Sequence, residues 1–518
     1  MTGRRHRPWT LLWLAALIVP TALAATPPPI PVAPPAPILE RDLARVTREV
    51  RDPAVFNAAS CATYLLERTQ AVLERGTSHY LPQDQREEQA LTDAAPRLAQ
   101  ALFDFRVTLK DRLGEFARRR DPDPACVTAV IRALRYARFV EELLVEWWLG
   151  RTPAGGPYPV LAGPRPVLMV SRGESAYEPR SGDILLARND SFVSAAIARI
   201  SDEEGQFSHA ALVQVDAAGQ VWVLESLIQR GAVATPWAEW TAHPPVRVLV
   251  KRHPDAATAA RAADWLHRWI DRRAAAGVDP APYDFFMDFG DDAELSCSEL
   301  VQFAYRESSG GQTRLPRFAS SLGVLAQHPF VQALGIRQPT IFSPSDFETD
   351  PNLVTVAEWR DYARTAHSRI QDAILTSIFR WMTEQGYVLT YRGLSQGLGN
   401  LYWEVLRPTG LGARWVQPNM TRGFFTTILA LRSVTRGLEQ ELVARDDRQR
   451  RRTGWGLDYQ TMLSRLEELR RQDCTAALAK RRESRASPFL SEPPLGAIPL
   501  LFHQYLDVPA EVGDCPER

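Results

Sequence analysis

Apolar residues recur at three- and four-residue spacing over Leu39–Val50, Ala58–Arg75, Gln85–Arg119 and Cys126–Leu149, a period that predicts amphipathic helices. Asp121-Pro122-Asp123-Pro124 breaks the third helix from the fourth. If these helices run up and down, the second and fourth are parallel and their N-terminal ends lie together. Cys61 and Cys126 both fall near those ends, so a disulfide between them is geometrically available. Beyond the Gly- and Pro-rich boundary at Gly150–Pro166, the period changes from helical to alternating. Asp183–Ala187, His209–Val215, Val221–Glu225 and Val246–Val250 read as strands, and helical spacing returns at Thr258–Ala275 and Cys297–Arg306. Val354–Gln385, Arg422–Arg445 and Tyr459–Arg482 read as further amphipathic helices, followed by a loop-rich tail. The expectation is an α+β domain over residues 165–345 between helical regions at 38–149 and 346–518.

The start of the chain bears on compartment. Arg4, Arg5 and Arg7 precede an apolar run from Trp9 to Ala22, which ends in the small-x-small sequence Ala22-Leu23-Ala24. That is the layout of a secretory signal peptide over residues 1–24, and the run is shorter than the roughly 20 residues a membrane span needs. An uncleaved anchor is the alternative. Residues 25–37 are proline-dense and read as a polyproline-like spacer. Later in the chain the most apolar stretch, Phe424–Leu431, is far too short to span a bilayer. The mature chain is therefore expected to be periplasmic or secreted, with no transmembrane segment. Export makes the five cysteines informative, because an odd number in an oxidising compartment leaves one over. Cys61 and Cys126 share one helical region, Cys474 and Cys515 share another, and Cys297 stands alone.

Composition narrows the function classes. With 61 Lys+Arg against 61 Asp+Glu the chain lacks the basic excess of nucleic-acid binders, and no nucleic-acid partner is expected. At 45% hydrophobic positions it is not a disordered chain.

The chemistry centres on Ser296-Cys297-Ser298-Glu299, a Ser-x-x-Glu capping box ahead of an apolar helical run. It puts Cys297 at the first helical position, where unpaired N–H groups and the macrodipole favour a thiolate and could stabilise an oxyanion. A small residue opening a buried helix is the plainer reading. A nucleophile needs a base and an orienting group. His209 opens an alternating strand, and Glu225 ends the next. A hairpin loop of odd length would put both on one sheet face, opposite or diagonal, with Cβ atoms about 5–7 Å apart. A two-residue turn at Ala218-Gly219 would separate them to opposite faces.

The ordered set Gly182-Asp183-Ile184-Leu185, Ser208-His209-Ala210-Ala211, Glu225-Ser226, Tyr283-Asp284 and Cys297-Ser298-Glu299-Leu300-Val301 resembles the circularly permuted branch of the NlpC-type papain-like amidases, the YiiX/YaeF-like group. In that group the histidine precedes the cysteine, and the cysteine starts a helix packed on a small antiparallel sheet. The resemblance covers residues 165–345, about a third of the chain. It implies that Cys297 is the nucleophile, His209 the general base and Glu225 the residue that orients the imidazole. Tyr283 would line the cleft or assist the oxyanion, together with Ser296 at the helix cap. Asp183 would shape the first strand and its turn. The implied reaction is cleavage of an amide through an acyl-enzyme, with no metal or cofactor. Cell-wall peptide is the natural substrate in an envelope compartment, and a lipid amide or ester is the alternative, as for lecithin:retinol acyltransferase-like relatives of this fold.

Rival chemistries have less behind them. Gly393-Leu394-Ser395-Gln396-Gly397 has the form of a serine nucleophile elbow, but no helix start follows it and no βαβ alternation surrounds it. Cys297, His209 and Glu225 are allowed zinc ligands, yet no close-spaced Cys/His pair supports a site. A non-enzymatic envelope module, binding a protein partner through its helical regions, is the third class. Faces such as Trp359, Tyr362, Ile370, Ile374, Ile378 and Met382 read as core before interface. Trp147 and Trp148 read as buried, and Arg448–Arg452 as a solvated segment between helices.

Overall fold

Long helices open the chain: α1 (Pro35–Arg51), α2 (Gln85–Arg119) and α3 (Pro124–Arg151). The structure, a computed structural model, describes residues 35–73, 82, 84–119, 122–151, 177–278, 280–288, 292–390, 401–407, 409, 417–486, 506–507 and 515. The expected signal peptide, the spacer up to residue 34, the boundary stretch from 152 to 166 and the Gly393–Gly397 motif lie outside the described residues. α1 begins at Pro35, inside the expected spacer. Pro124 starts α3, a position where its missing N–H costs nothing, and the Asp123 carboxylate accepts the Ala125 N–H at 2.9 Å. The continuous helix expected over 58–75 is a correction. Asn57 Oδ1 takes the N–H groups of Ala59 and Ser60, so helix starts only at Cys61, and a π-helical turn at Leu65–Thr69 interrupts it. Cys61 is disulfide-bonded to Cys126 and Cys474 to Cys515, and Cys297 is free and buried.

The central region is built on a six-stranded antiparallel sheet. Its elements in chain order are β1 (Ile184–Arg188), α4 (Phe192–Arg199), β2 (His209–Val215), β3 (Val221–Leu227), β4 (Gly231–Pro236), α5 (Trp237–Ala242), β5 (Arg247–Arg252), α6 (Ala256–Ala275), α7 (Cys297–Ser308) and β6 (Val354–Arg360). Spatial order is β4-β3-β2-β1-β5-β6. One face packs Ile184, Leu212 and Leu249 against Leu266 of α6 and Leu300 of α7; the other gathers Leu185, Val213, Val223 and Trp359. Asp183 fixes the start of β1, accepting the Arg180 N–H at 3.0 Å and pairing with Arg252 at 2.5 Å. β4 was not expected. Val354–Arg360, expected as the first turns of a helix, is instead the sheet's edge strand paired with β5. Its apolar positions suit both periods, but Asp361 accepts the Ala363 N–H at 3.1 Å and sets the true helix start.

That helix, α8 (Tyr362–Gln385), is followed by α9 (Arg422–Thr453) and α10 (Tyr459–Ala486). Ile370, Ile374 and Ile378 of α8 share one hydrophobic core with Leu98 and Leu102 of α2, Leu143 of α3, Leu438 of α9 and Leu466 of α10. The two flanking helical regions therefore pack as one body around α8. Trp147 is buried and stacks on Trp455, centroids 4.3 Å apart. Arg448–Arg452 is not an inter-helix segment but part of α9, where Arg450 pairs with Asp446 at 2.6 Å and Glu146 at 3.0 Å.

The helical body meets the end of the sheet through buried charge. Asp372 of α8 pairs with Arg188 (2.9 Å), Arg199 (3.0 Å) and Arg247 (3.0 Å), and each of these side chains is at most 1% exposed. Arg247 also holds Glu142 of α3 in a bidentate pair at 2.5 and 3.1 Å. Burial alone would raise both carboxyls, but the surrounding arginines dominate and hold them below the usual carboxylate range. Their contribution to stability is thus complete above the unfolded carboxyl pKa of about 4 and is lost as pH falls through the depressed folded values. Removing Asp372 leaves three buried guanidinium groups short of charge, so Asp372→Ala is expected to destabilise the fold by about 3–5 kcal/mol. Urea denaturation at neutral pH checks this, and a midpoint close to that of the native chain would contradict it.

Candidate active site

His209 is the first residue of β2, and Glu225 lies in β3. The turn between the strands spans residues 216–220, closed by Asp216 N–H to Gln220 C=O at 2.9 Å, with Gly219 at a φ of 78° that a side chain would strain. With Val215 opposite Val221, Glu225 falls opposite Ala211 and diagonal to His209 on the same face. The odd loop is the one formed, and His209 Nε2 lies 2.9 Å from Glu225 Oε2. The other oxygen of Glu225 accepts a 2.7 Å hydrogen bond from Thr235 of β4, diagonal to it in the next ladder. Thr235 had no signal in the sequence because its strand was not recognised.

Cys297 opens α7 behind a complete capping box. The Ser296 N–H donates to the Glu299 carboxylate at 2.7 Å, and the Ser296 hydroxyl accepts the Glu299 N–H at 3.5 Å. Ser296 thus commits both polar groups to the helix start and does not line the cleft described below. Cys297 is 4% exposed and lies beside the His209 side chain and the Ala210 N–H, both of which favour its ionised form. With Nε2 held by Glu225, Nδ1 is the imidazole nitrogen left for the thiol. Burial pushes the thiol up, but the imidazole and the Ala210 N–H outweigh it and bring it below the ordinary cysteine value. His209 shows the reciprocal effect. Burial opposes its charged form, yet hydrogen bonds to Cys297 and Glu225 push it up to about 10. The geometry favours a thiolate–imidazolium pair, oriented by a carboxylate and, through it, a threonine.

Tyr283 lines the same cleft as Cys297, and burial with the nearby Cys297 charge holds its phenol well above its usual range. Behind Cys297 lie two more carboxyls. Burial, then the neighbouring Asp284, raises Glu299 to about 8, so at neutral pH this pair retains a proton and presents less negative charge to the thiolate.

These groups open onto a cleft of about 590 Å³. Ser191 and Ser194 of the α4 start and Trp240 and His243 from the α5 end form part of its lining. The facing wall is apolar and comes from the C-terminal helical region: Met420, Phe424, Phe425 and Ile428. That contribution was invisible in the sequence, where Phe424–Leu431 registered only as an apolar stretch. Among the described residues no group of three His, Cys, Asp or Glu side chains is arranged to hold a metal ion.

An antiparallel sheet with a buried cysteine at a helix N-terminus and a carboxylate-held histidine upstream in sequence defines a permuted papain-like domain. Residues 178–357, about a third of the chain, match the family described as permuted papain-like amidase enzyme, YaeF/YiiX, C92 family, which supports a hydrolase of the amidase type at a coarse level. The chain is also similar to the crystal structure of the metalloprotein yiiX from Escherichia coli O157:H7, at 24% identity over 35% of this chain and 98% of that one, with a TM-score of 0.27. No curated protein matches the chain.

The ion pair can be read directly. Iodoacetamide is expected to alkylate Cys297 with a midpoint pH below the free-thiol value of about 8.5. In His209→Ala burial is opposed only by lesser contributions such as the Ala210 N–H, and the midpoint should rise by more than about one unit. Alkylation mapped by mass spectrometry across pH checks both, and identical midpoints in the two proteins would refute the pairing.

Proposed function

We propose that the chain is an exported cysteine amidase acting through an acyl-enzyme on Cys297. The observation that carries this reading is the line Cys297–His209–Glu225, in which an already polarised thiol meets an imidazole fixed from behind at 2.9 Å. The thiolate attacks the amide carbonyl carbon, and the developing oxyanion is met by the first N–H groups of α7, which no carbonyl within the helix accepts, and by the Tyr283 hydroxyl. His209 then delivers its proton to the leaving amine as the C–N bond breaks. Acylation removes the thiolate charge that supports the imidazolium, so His209 returns toward its ordinary pKa and can take a proton from the water that cleaves the thioester. Carboxylic acid leaves and the thiolate–imidazolium pair is restored. Ser296 acts here by setting the helix start.

Cell-wall peptide is the substrate this reading favours in an envelope compartment. Export is supported by the Cys61–Cys126 and Cys474–Cys515 disulfides, and no helix among the described residues is long and apolar enough to cross a membrane. The apolar wall of Met420, Phe424, Phe425 and Ile428 favours a second substrate class, a lipid amide or ester.

Incubation with peptidoglycan fragments and, separately, with lipid amides, with products read by mass, tests the proposal. Cys297→Ala should abolish turnover, His209→Ala should lower kcat by about 10²–10⁴, and Ser395→Ala should leave it unchanged. Activity should rise through the lowered Cys297 pKa and fall as His209 deprotonates near pH 10. Full turnover by Cys297→Ala would overturn the reading.

A further inference from the structure

The Tyr283 backbone is held from outside the sheet. Its N–H donates to Gln417 Oε1 at 2.9 Å, and its C=O accepts from Asn419 Nδ2, also at 2.9 Å. Gln417 Nε2 continues to the Leu227 C=O at the end of β3, 3.0 Å away, and Asn419 Nδ2 to Glu294 at 2.8 Å, in the segment leading to Cys297. Gln417 and Tyr283 are both buried. One short segment therefore ties together the end of the strand bearing Glu225, the Tyr283 backbone and the approach to the nucleophile. The segment is itself anchored: Thr421 caps α9 by accepting the Phe424 N–H at 3.0 Å. Next to it, Gly423 lies so close to the Ala333 carbonyl that a Cβ there would come within 2.4 Å of the oxygen. All these tethering residues lie beyond the 178–357 interval that matches the family.

Resting on the amidase reading above, we propose that Gln417 and Asn419 of the C-terminal helical region are positioning residues of the active site, holding Tyr283 against Cys297. Tyr283 follows Pro282 in an irregular segment, between the α6 end and α7, with no strand of its own to fix it. Its main-chain groups are buried, so without these two amides they would have to move to find partners, and the hydroxyl would move with them. The helical region thereby completes the site in addition to walling the cleft.

The test uses the full chain and two readouts. Gln417→Leu and Asn419→Ala are made alone and in a Tyr283→Phe background, and thermal melts verify folding; Asn419→Ala, at a half-buried position, carries the test if Gln417→Leu does not fold. Hydrogen exchange at the peptide containing Tyr283 should accelerate in each single variant. The midpoint of Cys297 alkylation by iodoacetamide should rise by about one unit, slowing the reaction by up to about tenfold at pH values below the native midpoint, and this effect should vanish in the Tyr283→Phe background. His209, Glu225, Tyr283, Glu299 and Asp284 all titrate around the sulfur, and these variants leave every one but Tyr283 untouched. Unchanged exchange, or a slowing equally large with and without the Tyr283 hydroxyl, would overturn the positioning role. An unperturbed midpoint in the native chain would instead overturn the amidase reading, while the exchange measurement still decides the tether.

Discussion

The structure hangs on the Asp372 carboxylate. Placed on α8, it meets arginines from β1, α4 and β5 at once, and Arg247 passes the contact on to Glu142 of α3. A buried ion pair adds little net stability over a well-packed apolar contact, but it is unforgiving: each partner is costly once the other is gone. The sheet end and the helical body are therefore mutually obligatory. Either one alone would leave charges in an apolar interior. The consequence reaches the cleft, because Arg188 also donates to the Asn189 and Ser191 carbonyls, and Asn189 and Ser191 line it. The rim of the site is thus set by the same contact that docks the helices.

Much of the site could be read from the chain because its signals are local. The capping box at Ser296–Glu299, the alternation from His209 to Val215 and the cysteine partition each involve residues close in sequence or one elementary packing rule. What stayed hidden is long-range. Thr235 lies in a strand too short and mixed to announce itself, Gly231–Pro236. Gln417 and Asn419 are 134 and 136 residues from Tyr283, and no periodicity links them. The misread start of α8 has a different origin. Val356 and Trp359 fall at the three-residue spacing of a helical stripe that runs on to Tyr362, and only the β-branched run Val354–Val356 and the Asp361 cap mark the strand apart from the helix. The hairpin register was open in the sequence for a similar reason, since one residue in the turn decides which face His209 shares with Glu225.

Electrostatics at Cys297 shows why several weak devices are needed together. Burial by itself would keep the thiol protonated, and the same burial would keep His209 neutral. Each group supplies opposite charge that favours the other's ionised form. Glu225 then serves as more than a tether, since its negative charge is permanent and half-neutralises the imidazolium from the far side. Thr235 prevents that carboxylate from rotating, by occupying the second oxygen.

The carboxyl pair behind the helix completes this logic. Glu299 is needed to cap Ser296, yet a fully ionised Glu299 beside Asp284 would oppose the thiolate through the low-dielectric interior. Retaining a proton between them reconciles the two demands. Asp284 can still accept the Phe286 and Asp288 N–H groups at 2.7 and 2.8 Å, which fold the segment after Tyr283 back on itself. Tyr283 is then fixed from both directions, by Asp284 on its C-terminal side and by Gln417 and Asn419 across the domain boundary. The matched papain-like interval carries Cys297 and His209, but the backbone of Tyr283 beside them is hydrogen-bonded by a helical region that this interval does not contain.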